Sequence, residues 1–204
     1  MPRPNLKVDW AQCEAETVRL RSLLPSLVTL SPAHRKLVAE IVMVRLFLLI
    51  ENTIASSAAK MLCGAAYLDA TLPMRLVTPQ SMEAAKTLMR THGRNPAKRN
   101  LWWTQSREIR DNLCFTLNAK DPFFGIVSRH AGLLTDMRHV RNHIAHKNAS
   151  TRANFQNVVR RHCGGLKRGM TPGLLLLITL PSGTSLLESY IVSGRVTVRD
   201  LLHA

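Results

Sequence analysis

Acidic side chains are scarce in this sequence. Of 204 residues, 13 are Asp or Glu against 28 Lys or Arg, giving a formal net charge of +15 and a pI near 10.8. That imbalance disfavours acid-rich functions and points to a polyanionic partner, with nucleic acid first and an anionic membrane surface as the rival. Long apolar runs are also missing. Ile41 to Ile50 is the longest, is interrupted by Arg45, and falls well short of the roughly 20 residues needed to cross a bilayer. Leu174 to Leu180 is shorter still. Met1-Pro2-Arg3-Pro4 leads into no apolar stretch of signal-peptide type, so a soluble, cytoplasmic protein with no membrane partner is expected.

Cysteine is sparse too. Cys13, Cys63, Cys114 and Cys163 stand far apart with no Cys-x-x-Cys pair, which argues against a zinc knuckle or a disulfide framework and for reduced thiols. No zincin motif accompanies the histidines at 139, 143 and 146, so neither a metal nor another cofactor is expected. No helix-turn-helix spacing suggests a DNA-binding regulator.

What is present is mostly helical pattern. Asp9 is expected to cap a first helix running to about Leu24. Ser31-Pro32 is a strong start signal for a long helix ending near Cys63, with Gly64 as its stop. Thr78-Pro79 opens a shorter helix ending near Gly93, and a basic loop with Gly93 and Pro96 spans His92 to Asn100. Further helices are expected over Thr104–Leu117, from Asp121-Pro122 to about Lys147, and over Arg152–Arg161. After Gly164 the pattern weakens. Leu174 to Leu180 reads as a buried strand or a helical turn, followed by a turn at Pro181-Ser182-Gly183. The fold class is therefore all-α, an up-and-down bundle with a short irregular or β-containing C-terminal segment. It forms a single domain, with 1–30 as a helical extension, 31–163 as the core bundle and 164–204 as the C-terminal segment.

Chemistry concentrates in Arg141-Asn142-His143-Ile144-Ala145-His146. Spacing alone carries nothing: with 20 Arg and 8 His, an Arg five positions before a His should arise about 0.8 times by chance. It arises twice, at Arg138/His143 and Arg141/His146. Helical geometry separates the pairs. At about 100° per residue, Phe123, Ile126, Val127, Leu133, Leu134, Met137, Val140, Ile144 and Ala145 share one apolar arc. Arg141 falls near its middle, Asn142 at its edge, and His143 on the opposite, solvent side. An arginine on an apolar arc needs a carboxylate, a cleft or another subunit. Glu51 and Asp136 are the carboxylates considered.

The string RNHIAH resembles the signature of the HEPN superfamily, written R-N-x-x-A-H, at every fixed position. Glu51 within an apolar run, Trp102-Trp103 and Thr171 to Leu175 are similar to features of the RiboL-PSP-HEPN group. The likeness covers roughly Val38 to the C-terminus. It implies a HEPN-type bundle and a metal-independent endoribonuclease that cuts RNA by 2′-OH transesterification, of toxin or antiviral-defence type. Arg141 would bind the scissile phosphate, Asn142 would hydrogen-bond it or orient the histidine, and His146 would be the general base or acid. The resemblance further implies a homodimer with a composite cleft, and an antitoxin or a nucleotidyltransferase as a potential partner. A HEPN-like module that binds RNA or nucleotides without cutting is the alternative. Arg138, His139, His143 and Lys147 are expected to form an RNA-facing surface, as are Arg94, Lys98 and Arg99 with Trp102 as a stacking platform.

Overall fold

The computed structural model describes residues 4–103 and 105–203. Among them all regular structure is helical: α1 (Leu6–Ser22), a 3₁₀ turn (Pro25–Thr29), α2 (Pro32–Leu62), α3 (Met82–Thr91), α4 (Ser106–Leu113), α5 (Pro122–Arg129), α6 (Ala131–His146), α7 (Ala149–Cys163), α8 (Pro172–Leu176) and α9 (Leu186–Leu202). No strand forms among the described residues. The expected β-containing tail reduces to one isolated antiparallel bridge, Thr179 with Ser185.

Helix α2 is the axis. Its 31 residues extend about 46 Å at 1.5 Å each. The Ser31 hydroxyl accepts from the His34 N–H, Pro32 occupies the first turn, and Gly64 follows at φ +98°, a conformation that costs glycine little. Around it pack α1, α3, α6, α8 and α9. Two glycines permit close approaches to α2. A Cβ on Gly173 of α8 would lie 2.8 Å from the Lys36 carbonyl oxygen, and one on Gly194 of α9 would lie 2.6 Å from Ile50 Cδ1. Leu46, Ile50, Leu62, Ile109, Leu113, Phe123, Met137, Val140, Leu187 and Val198 belong to one buried cluster that extends from Leu6 to Leu202. No helix of the described residues is long and apolar enough to cross a membrane.

Several boundaries differ from the sequence pattern for identifiable reasons. Asn5, not Asp9, caps α1. Asp9 is instead buried against α2, accepting from Lys60 Nζ at 2.9 Å and Ser56 Oγ at 3.0 Å. α3 starts at Ser81 rather than Thr78-Pro79, and α7 starts earlier than Arg152 because Asn148 and Thr151 form a capping box. α4 stops at Leu113, short of Leu117, and the expected start at Thr104 lies outside the described residues. The continuous helix expected from Asp121 to Lys147 is two helices, broken at His130. There the imidazole Nε2 lies 3.0 Å from Asp200 Oδ2 and Nδ1 lies 3.1 Å from Thr197 Oγ1, both on α9. Tertiary anchoring thus overrides local periodicity. α9 itself was not anticipated.

Candidate active site

The C-terminal half of α6 lies on α2, and three features singled out in the sequence meet there. The Arg141 guanidinium carbon stands 5.7 Å from the centre of the Phe47 ring, within cation–π range. Its Nη1 donates to Asn142 Oδ1 at 2.9 Å. Glu51, one turn beyond Phe47, accepts from the Trp103 backbone N–H and feels the Arg141 charge. Burial raises the Glu51 carboxyl above its ordinary value, and Arg141 and the Trp103 N–H oppose that shift.

Arg141 is half-buried, yet among the described residues no carboxylate comes within 4 Å of it. Asp136 is committed elsewhere, to Arg161 at 2.5 Å and His162 at 3.4 Å. A half-buried guanidinium that contacts an amide and a ring, with Glu51 near but outside ion-pair range, retains donors for an anion. Asn142 orients Arg141, its immediate neighbour, rather than the histidine one turn on. Phe47 was not anticipated. Its signal was its spacing of four from Glu51, which sets both on one face of α2.

His146 is the last residue of α6. It is exposed, and Lys147 ends the helix in the left-handed region at φ +40°. Arg141 and His146 lie about 7.5 Å apart along the axis and about 140° apart around it, so they diverge rather than converge within one helix. Ala145, expected on the apolar arc, is exposed.

His143 departs from its expected solvent-facing position. Its ring stacks on Phe155 of α7 with centroids 4.9 Å apart, and Nδ1 lies 3.2 Å from Thr151 Oγ1. Burial, then Arg152 and Lys147, hold its pKa below the usual histidine value. His139 is half-buried and is likewise pulled down, by burial and then by Arg138. Arg138 is half-buried and Lys147 exposed.

The basic loop contributes less free charge than its composition suggests. Arg94 is nearly buried, donates to the Met89 and Asp111 carbonyls and lies over the Phe115 ring. Lys98 pairs with Asp111 and donates to Asn112 Oδ1 at 2.9 Å. These two charges fasten the loop to α4. Arg99 is exposed. The tryptophans divide the work: Trp103 is buried and anchors the segment, while Trp102 is 56% exposed.

Among the described residues no three His, Cys, Asp or Glu side chains cluster to hold a metal ion. Protein-family models, curated proteins and solved structures yield no match to the chain.

Proposed function

We propose that the chain is a metal-independent endoribonuclease of HEPN type that acts as a homodimer. The observation that carries this reading is Arg141: a guanidinium held by Phe47 and Asn142, without a carboxylate in ion-pair range, on the same helical segment as the exposed His146. In this mechanism Arg141 binds the scissile phosphate and stabilises the charge that builds on its oxygens. One His146 takes the proton of the ribose 2′-OH, which attacks the adjacent phosphorus. The bond to the 5′-oxygen breaks, and that oxygen leaves with a proton from His146 of the partner subunit. The products are a 2′,3′-cyclic phosphate and a 5′-OH end. DNA lacks the nucleophile and should be inert.

A second copy fits the geometry. The divergence of Arg141 from His146 around α6 favours a cleft completed by another subunit. Beside Phe47 and Glu51, α2 leaves Ile41 and Leu48 49% and 39% exposed, about 20° apart around the helix. Such a stripe suits a two-fold interface, where each patch meets its own image.

The test is cleavage of labelled single-stranded RNA in EDTA by wild type, His146→Ala and Arg141→Ala. EDTA-resistant cleavage should fall about 10²–10⁴-fold in the histidine variant, and RNA binding should weaken more in the arginine variant. If wild type binds RNA in a gel and cuts none, the non-catalytic binding module replaces this reading.

A further inference from the structure

A groove of about 1220 Å³ lies between the start of α2, the end of α6, α7 and the segment leading into α8. Its volume exceeds the roughly 300–1,000 Å³ of small-molecule sites. Lys36, Lys147, Arg152, Lys167 and Arg168 line it, facing a single acid, Glu40. That carboxylate already accepts from the Gly173 N–H at 2.9 Å. Among the described residues none of the five cations has an ion-pair or side-chain hydrogen-bond partner, unlike Arg94 and Lys98. Between them the walls are apolar, with Leu37, Val159, Leu166 and Met170, and with His143 resting on Phe155.

Five positive charges against one carboxylate around a groove with apolar lining concentrate negative ions there. Apolar lining interspersed with cations suits bases and phosphates of a single strand. The groove is lined in part by Lys147, the residue next to His146. We infer that it holds the single-stranded RNA that flanks the cleavage point, so that Lys36, Arg152, Lys167 and Arg168 bind phosphates beyond the one at Arg141. This inference rests on the ribonuclease reading for the identity of the polyanion.

The experiment measures wild-type binding to uncleavable 2′-O-methyl RNA of two to twelve nucleotides across a salt series, beside a triple variant, Arg152→Gln, Lys167→Gln and Arg168→Gln. A control removes three exposed cations elsewhere, Lys7→Gln, Arg19→Gln and Lys120→Gln, with the same change in net charge. Affinity should rise with length in wild type and in the control. The groove variant should lose that gain by tenfold or more, and its salt slope should shrink by about 0.7 for each lost phosphate contact. Cleavage of a dinucleotide should persist in it. Equal affinity and slope in wild type and groove variant, or equal losses in the control, overturns the groove assignment while leaving the nuclease reading intact. Competition by polyglutamate as effective as by RNA also overturns it, in favour of an acidic protein. If wild type binds but never cuts, and the groove variant still loses length-dependent affinity, the nuclease reading falls and the groove stands.

Discussion

Asn142 Oδ1 accepts a 2.9 Å hydrogen bond from Arg141 Nη1, so the amide orients the guanidinium without neutralising it. The two substitutions at this position should therefore separate. Asn142→Ala removes a hydrogen bond to a charged group, worth about 1.5–3 kcal/mol, and should slow RNA cleavage about tenfold or more. Asn142→Asp introduces an anion beside Arg141 and should weaken RNA binding further than the alanine does. Titration with uncleavable RNA decides it: an aspartate variant that binds as tightly as the alanine variant removes the phosphate role from Arg141.

The exposed stripe on α2 predicts the assembly state. Leu48→Glu should convert a dimer to a monomer in sedimentation and abolish cleavage while leaving the helical signal intact. Retained cleavage by a demonstrated monomer would show that one copy suffices.

Glu51 gives a stability prediction with a definite sign. Its folded-state pKa is raised above 4.5, chiefly by burial, so the folded state holds its proton more tightly than the unfolded chain. Stability contributed by that proton is present at low pH and is lost as pH rises from about 4.5 through the raised value. Glu51→Gln, which keeps an acceptor for Trp103, should raise the thermal midpoint at pH 7 and lose that advantage near pH 4. A midpoint difference that does not change with pH would contradict this.

His143 behaves in the opposite sense. Its folded pKa lies below 6.5, so the unfolded state binds protons first as pH falls. Stability is complete above about 6.5 and declines as pH drops through the depressed value. Burial, then Arg152 and Lys147, push in that direction and Glu40 opposes them. Between pH 7 and pH 5, wild type should lose more of its unfolding free energy than His143→Gln does; parallel curves would refute the assignment.

Two glycines packed against α2, Gly173 on α8 and Gly194 on α9, should differ in tolerance. A methyl at Gly173 meets the Lys36 backbone carbonyl, whereas one at Gly194 meets the movable end of Ile50. Gly173→Ala should cost about 1–3 kcal/mol. Gly194→Ala should be near neutral, since helix propensity returns up to about 1 kcal/mol. Chemical denaturation of both variants measures the contrast.

What the sequence revealed and what it hid follow from the range of the forces involved. Ser31-Pro32 and Gly64 mark the ends of α2 because caps act within a few residues. The break at His130 was invisible because its partners, Thr197 and Asp200, are remote in sequence. α9 was missed although Ser185 caps it through the Glu188 N–H; Gly194, Val196, Thr197 and Val198 lower helix propensity, and packing on α2 outweighs them. At the candidate site the motif itself was legible. Its setting was not: Phe47 lies far away in sequence, Arg94 and Lys98 spend their charge on Asp111, and the groove cations come from α2, the end of α6, α7 and the 165–172 segment.

Helix α9 packs against α1, α2, α5 and α6, yet it is synthesised after all four. While a ribosome is still adding Leu186–Leu202, Ile50 and the His130 joint lack their covering partner. Translation order therefore leaves the faces that α9 covers open until α9 has emerged.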